Sequence, residues 1–221
     1  MVGDNRRITR RFGVFDAELT HVTIADETIA LWQVGDLERH VDRHALLAGD
    51  DPAEPPYWAH LWSGARVLAS AVPRVAGTAI ELGCGLALPG LMAARRGARV
   101  VCVDRDPVPL DFVRASATAN GLDSVHVVAA DVTSGAIAGR FDLVLAAEVL
   151  YDRTAFPHIA QAIADRLAPG GTALLTDGHR IDTRAFRPEL TARGLAVSVT
   201  EHVVREEGFP VTISLLAITA G

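Results

Sequence analysis

Residues 79–90 read AIELGCGLALPG, and the fold is decided by how that stretch is read. Ala79 to Leu82 have the length and character of a short buried strand, Gly83 and Gly85 stand where the backbone must turn sharply, and Leu88 onward begins a helix. Glycine at such a turn reaches dihedrals that a β-carbon forbids and lets a ligand come close to the backbone. Strand, glycine turn and helix together make a nucleotide-type cofactor loop. A glycine pair alone carries little weight. The loop gains it from Val100-Val101-Cys102-Val103-Asp104, a second apolar strand ending in a carboxylate at about the ~20-residue interval expected of such a site. A carboxylate there can accept both hydroxyl hydrogens of a ribose.

Outward from this stretch the chain alternates strand and helix. Leu91 to Arg96 continues the first helix and Gly97 closes it; Leu110 to Asn120 makes the second, begun at Asp106-Pro107 and ended by Gly121. Val125 to Ala130 and Phe141 to Ala147 read as the third and fourth strands, running into Asp131 and Glu148. Phe156 to Leu167 is helical, and Pro169-Gly170-Gly171 turns into a fifth strand, Thr172 to Thr176, ending near Asp177. Short apolar strands joined by helices imply a parallel sheet with right-handed crossovers, which binds its ligands at the strands' carboxyl ends. After a helical Arg184 to Arg193 segment, Leu195 to Val204 and Val211 to Thr219 are separated only by REEGFP, too short for a crossover, so these two strands pair antiparallel.

Upstream, Val14 to Leu19, Val22 to Ile24 and Thr28 to Val34 read as short strands of a small hairpin, with Asp26-Glu27 as a turn. Leu37 to Ala48 has a rough helical period, on which His40 and His44 stand four apart without a third ligand, so no metal site is expected. Gly49 to Pro56 is turn-rich and marks the boundary between an extension, residues 1–55, and the main domain, residues 56–221. In YWAHLWSGARVLASAVP the residues Trp58, Leu61, Ala65, Leu68 and Val72 trace one helical face until Pro73 ends it.

Composition narrows the chemistry. At 221 residues and 49% hydrophobic the chain can bury a full core, and with a net charge of −6 its field invites neither nucleic acid nor anionic membrane. The basic cluster Arg6, Arg7, Arg10 and Arg11 reads as a solvated tail. No apolar run reaches a membrane span, and reduced Cys84 and Cys102 fit a cytoplasmic protein. All 21 basic residues are arginine. Without lysine there is no Walker-type phosphate loop, no Schiff-base enzyme and no tyrosine–lysine dehydrogenase pair. A nicotinamide fingerprint would want its third glycine at Leu88, and glycine arrives only at Gly90.

A parallel sheet closed by an antiparallel hairpin resembles the seven-stranded, Rossmann-like fold of class I S-adenosylmethionine-dependent methyltransferases. The likeness runs from Pro56 to about Ala220. Within that superfamily the chain is most similar to the protein-lysine methyltransferase branch. LWSGARVLA matches its tryptophan-bearing helix, ELGCGLALPG its glycine loop, VVCVDRD its acidic strand end and AAEVLYD its acidic-x-x-aromatic motif after strand four.

The resemblance implies that Gly83, Cys84 and Gly85 pass beneath the methionine part of the cofactor and that Asp104, followed by Arg105, holds the ribose. It implies that Glu81 sits beside the cofactor's amino group or orders the loop, that Asp131 meets the adenine, and that Trp62 and Ala147 complete the pocket wall. Glu148 would receive the incoming amine and relay its proton while Tyr151 lines the passage, with S-adenosylhomocysteine as product. The branch usually has Asp where this chain has Glu148, which keeps the charge and changes the reach. After strand five, His179 is a candidate base and Arg180 a candidate anchor for an acidic substrate group. The acceptor implied is a protein lysine or, alternatively, a small metabolite methylated at N or O; a non-catalytic cofactor-binding module is the third reading.

Overall fold

The computed structural model describes residues 8–40, 56–74, 76–206 and 208–221. At the N-terminus β1 (Thr9–Phe12), β2 (Phe15–Ile24) and β3 (Glu27–Val34) form an antiparallel sheet. The main sheet comprises β4 (Thr78–Leu82), β5 (Arg99–Asp104), β6 (Val125–Ala129), β7 (Phe141–Ala147), β8 (Leu167–Asp177), β9 (Leu195–Glu206) and β10 (Phe209–Ala220). Its order is β6-β5-β4-β7-β8-β10-β9. Strands β4 to β8 are parallel, and β10 pairs antiparallel with both β8 and β9; Arg205 and Glu206 belong to β9 and Phe209 and Pro210 to β10, so the connection between these two strands is shorter than the REEGFP expected. The order reverses at β4, between β5 and β7, so the crevice beyond its carboxyl end lies at the switch point of the sheet.

Among the described residues five helices cover the sheet: α1 (Ser63–Ala71), α2 (Leu88–Arg95), α3 (Val108–Ala119), α4 (Phe156–Arg166) and α5 (Phe186–Thr191). Side chains alternate across each parallel strand because the strand period is two. Ala79, Val100, Cys102, Leu143 and Leu145 enter one core with Leu68, Leu91 and Phe112 from α1, α2 and α3. Ile80, Leu82, Val103, Val144 and Ala146 enter the other with Ile159, Ile163 and Phe186 from α4 and α5. The first core extends without a break into the N-terminal sheet through Phe12, Phe15, Ile29, Leu31 and Trp32. Strand β3 docks its open edge on the end of α3. Ala30 N–H donates to Asn120 Oδ1 at 3.0 Å, Asn120 Nδ2 donates to Ala30 O at 2.6 Å, and Trp32 N–H donates to Ser116 Oγ at 3.0 Å. The side chains of α3 thus satisfy an edge that would otherwise offer itself to another strand.

The structure corrects several sequence expectations. Strand β2 runs unbroken through Thr20 and His21, paired with Leu31 and Ala30, so two expected short strands are one. Arg10 and Arg11 are not tail: they pair with Ala17 and Asp16 in β1, while Arg6 and Arg7 lie outside the described residues. The helix expected from Tyr57 begins at Ser63, preceded by a 3₁₀ turn, Tyr57–Ala59, and an extended Trp62. Trp58 and Leu61 satisfy the helical period by coincidence, since Trp58 packs its ring on Phe15 and Phe112 instead. Of the expected Leu37–Ala48 helix the described part is a 3₁₀ turn, Leu37–His40; the remainder, His44 and most of the Gly49–Pro56 linker lie outside the described residues. Strand β8 begins at Leu167, ahead of Pro169-Gly170-Gly171, which is accommodated as a register shift opposite Phe141 and Leu143. Among the described residues no helix is long and apolar enough to cross a membrane.

Candidate active site

The cofactor side of the crevice is built by the β4–α2 connection. Gly83 and Gly85 have φ of +62° and +48°, values at which a β-carbon is strained. A side chain at Gly85 would in addition start 3.2 Å from the carbonyl oxygen of Trp58, and one at Gly83 would start 3.1 Å from Val149. Cys84 N–H donates to Val103 O at 2.9 Å, tying the loop to β5. Asp104, at the end of β5, is 9% exposed; its Oδ2 accepts Gly85 N–H at 2.8 Å and its Oδ1 accepts Asp106 N–H at 3.0 Å. Each oxygen has used one lone pair and keeps another for a hydroxyl. Burial raises the Asp104 carboxyl above its usual range, while those two N–H groups and the Arg105 charge oppose the rise.

Glu81 is 1% exposed and accepts Gly90 N–H at 2.7 Å, so its carboxyl anchors the first turn of α2. Burial pushes it up to about 8. A β-carbon on Gly90 would fall 2.6 Å from Glu81 Oε2 and 2.9 Å from Cys102 Sγ, which explains a glycine two places beyond the nicotinamide spacing: it lets α2 close on the sheet. Asp131 is exposed beyond β6. Its Oδ1 takes Thr133 N–H at 2.8 Å and the Thr133 hydroxyl at 2.6 Å, and these bonds hold its carboxyl below the usual range, with Arg105 contributing. Ala130 N–H donates to Asp104 O at 2.9 Å, which brings the ends of β5 and β6 side by side. Cys84 and Cys102 are buried free thiols, and burial raises Cys84 well above the ordinary thiol range.

The other side of the crevice is centred on Glu148. It follows Ala147 at the end of β7, in the left-handed region at φ +57°, with its N–H donating to Thr176 O at 3.0 Å. Its side chain is 4% exposed. Oε2 accepts Gly178 N–H at 3.1 Å, whereas Oε1 is buried without a hydrogen-bond partner among the described residues. Two glycines make the slot: a β-carbon on Gly64 would lie 2.1 Å from Oε1, and one on Gly178 would lie 2.9 Å from both oxygens. Thr176 Oγ1 donates to Gly64 O at 3.1 Å and ties α1 to the same place. Burial raises the Glu148 carboxyl; Arg180 and the Gly178 N–H pull it back.

Arg180 Nε stands 3.4 Å from Glu148 Oε2, and its guanidinium carbon is 3.7 Å from the centroid of the Trp62 ring. Trp62 in turn donates its indole N–H to Tyr57 O at 3.1 Å and meets the His60 ring at 4.2 Å. The tryptophan expected in the cofactor wall therefore has its ring against Arg180 and His60, and it is Trp58 whose carbonyl borders the glycine loop. Arg180, expected as an anchor for an acidic group, is engaged with a carboxylate of its own chain. Tyr151, three residues beyond Glu148, is 56% exposed.

His179, at φ +55°, shares a hydrogen bond of 2.8 Å between Nε2 and Ser214 Oγ, and Ser214 Oγ donates to Glu201 Oε1 at 2.6 Å. Its Nδ1 is 3.4 Å from Asp177 Oδ2. These groups line a cavity of about 580 Å³, which Arg180 and Thr183 also border. The sequence reading missed Gly64, Gly178 and Ser214; the first two stand in WSG and TDG, where a glycine beside a strand or helix end was the available signal.

Comparison with known proteins finds one matching family model and one shared fold. Residues 79–171 match the model of a family described as a methyltransferase domain. The chain is 32% identical over 127 residues to the protein N-lysine methyltransferase METTL21A of Mus musculus, covering 52% of this chain and 58% of that protein. It is 32% identical over 120 residues to the histone-arginine methyltransferase METTL23 of Mus musculus, covering 48% and 47% respectively. The chain thus spans about half the length of these relatives. A TehB-like SAM-dependent methyltransferase structure from Corynebacterium glutamicum superposes with a TM-score of 0.57 at 18% identity, over 84% of this chain and 98% of the other, which establishes the shared fold.

Proposed function

We propose, from the premise that residues 79–171 form a methyltransferase domain, that this protein is an S-adenosylmethionine-dependent methyltransferase whose acceptor is an amine, the side chain of a protein lysine. The observation that carries the amine is Glu148: a buried carboxylate at the carboxyl end of the sheet, with one oxygen that has no partner among the described residues. A relative that methylates protein lysine supports the same reading.

The crevice suits the cofactor. Gly83, Cys84 and Gly85 offer a sharply turned backbone without side chains at its two glycines, Asp104 has the spare lone pairs for two ribose hydroxyls, and Asp131 with Arg105 borders the place for the adenine beyond β5 and β6. Ala147 closes the wall at the end of β7 with a methyl group. Glu81 contributes from below by holding α2 against the sheet. When bound, S-adenosylmethionine supplies a methyl group already activated on a sulfonium, so no covalent enzyme nucleophile is required.

The chain's own work is to orient the acceptor and to manage one proton. An ammonium has no lone pair and must lose a proton before it can attack. Glu148 Oε1 is free to accept an N–H of the entering amine, and a carboxylate whose affinity for protons is raised by burial is a better base than one in water. Positioning within a water-poor slot contributes up to about 7–11 kcal/mol in well-oriented systems. Tyr151 borders the approach.

A small metabolite methylated at N or O is the second reading. It draws on the cavity of about 580 Å³ bordered by Arg180, which is of the size that takes a small molecule. Labelled methyl transfer from S-adenosylmethionine into an extract, split into protein and small-molecule fractions, separates the two. Label recovered as methyl-lysine after protein hydrolysis supports the first reading; label in the small fraction replaces it with the second; no transfer to either fraction, in the presence of measured cofactor binding, counts against catalysis.

A further inference from the structure

We infer that Arg180 occupies the seat of the acceptor cation, bridging Trp62 and Glu148, and yields it only to another cation, so that it acts as a built-in competitor that makes the enzyme selective for positively charged acceptors. The inference rests on the reading that Glu148 receives the acceptor. A carboxylate beside an indole face is the ordinary composition of a site for a cationic side chain, since the carboxylate neutralises the charge and the ring quadrupole attracts it. Here that composition is complete within the chain: the guanidinium carbon of Arg180 is 3.7 Å from the Trp62 ring centroid, and Nε is 3.4 Å from Glu148 Oε2.

The occupant is loosely held. A contact of 3.4 Å is longer than the ~2.7–2.9 Å of a charge-assisted hydrogen bond, and it is single rather than forked. Meanwhile Glu148 Oε1 is buried and has no hydrogen-bond partner among the described residues, although Arg180 stands at the other oxygen. Leaving such an atom unpaired forfeits the hydrogen bonds that water would give it, so the resting arrangement is short of one donor. The Arg180 side chain is 36% exposed and can swing to solvent without opening the core. An entering ammonium or guanidinium can take the Trp62 face, supply the missing donor to Oε1 and inherit the charge balance that Arg180 maintained. A neutral or acidic group would displace Arg180 only by leaving Glu148 buried without a counter-charge, which is strongly unfavourable. Selectivity then comes from what the competitor refuses as much as from what the seat accepts.

The test uses protein without cofactor, with methylguanidinium and n-butylammonium as probes at pH 8. Binding is read from the indole N–H resonance of Trp62 in the wild type, R180A, R180K and the double variant R180A/E148Q. R180A is expected to bind both cations roughly tenfold more tightly than the wild type, the scale of one exchanged cation–π contact and ion pair. R180K, which keeps a cation but not the planar group, is expected to fall between them, and R180A/E148Q is expected to lose the gain. Equal affinity in wild type and R180A, no binding to R180A, or a gain that survives E148Q would each overturn the inference. Because the probes are bound and not methylated, absence of methyl transfer in a protein that behaves as expected here would count against the proposed activity alone. Preference between the two probes separates a guanidinium from an ammonium acceptor.

Discussion

Glu148 and Asp104 are both buried carboxylates at strand ends, and their partners assign them different work. Asp104 has two backbone N–H partners that shape the glycine loop, so Asp104→Ala is expected to weaken S-adenosylmethionine binding by about 10–100-fold, the size of one or two lost hydrogen bonds to a charged group. Calorimetric titration checks it. Glu148→Gln keeps the shape and removes the base; cofactor affinity is expected to stay within about twofold while turnover falls by about 10²–10⁴. Gly64→Ala asks a steric question, because its β-carbon would stand 2.1 Å from Glu148 Oε1. The carboxylate is the movable partner, so the fold should tolerate the change, and displacement by about an ångström should cost about 100-fold in rate with cofactor binding retained. Asp104 was legible from its spacing behind the loop. The slot around Glu148 was not, because it joins a glycine of α1 to one beyond β8, and only the fold brings them together.

At the scale of elements, the parallel strands were legible because each is a short apolar run between turn residues, and their alternation between two cores follows from period two. The edges of the pattern were less so. Trp58 mimics a helical position but belongs to an aromatic contact with Phe15 and Phe112, a tertiary packing preference that overrides the local period. Arg10 and Arg11 hide a strand because its stability comes from pairing with β2 and not from its own apolar content. The joint between β4 and α2 carries a pH signature. Glu81 rises from 4.5 to about 8 on folding, chiefly through burial, so the folded state holds this proton more tightly than the unfolded chain. Its contribution to stability is therefore fully present below about 4.5 and is lost as pH rises through about 8. Glu81→Gln cannot titrate. Across that window the stability of the wild type should decline relative to the variant by up to about 1.4 kcal/mol per pH unit, measurable by urea unfolding at pH 5, 6, 7 and 8. Parallel curves would remove Glu81 from the joint's titration.

Taken whole, the molecule combines a segment, residues 79–171, that matches a methyltransferase-domain family with a composition that contains no lysine. On the function proposed above, a lysine near the crevice would be an unavoidable rival to the true substrate, because tethering to the enzyme raises its effective concentration far above that of a partner in solution. This chain meets basic needs with 21 arginines, including Arg74, beyond α1, and Arg96, at the end of α2, which pair with Glu27 of the N-terminal sheet. Arginine remains charged at all working pH values and its delocalised cation is a poor nucleophile, so a fold stabilised by arginine keeps its ion pairs without presenting an amine. Incubated with labelled S-adenosylmethionine and no acceptor, untagged protein should therefore yield no methyl-lysine from within these 221 residues and remain unlabelled on a denaturing gel. The same incubation with a lysine-containing acceptor should label the acceptor alone. Label recovered on the enzyme as methylarginine would point to guanidine chemistry at the site, with Arg180 as the first residue to map, since it already lies against Glu148.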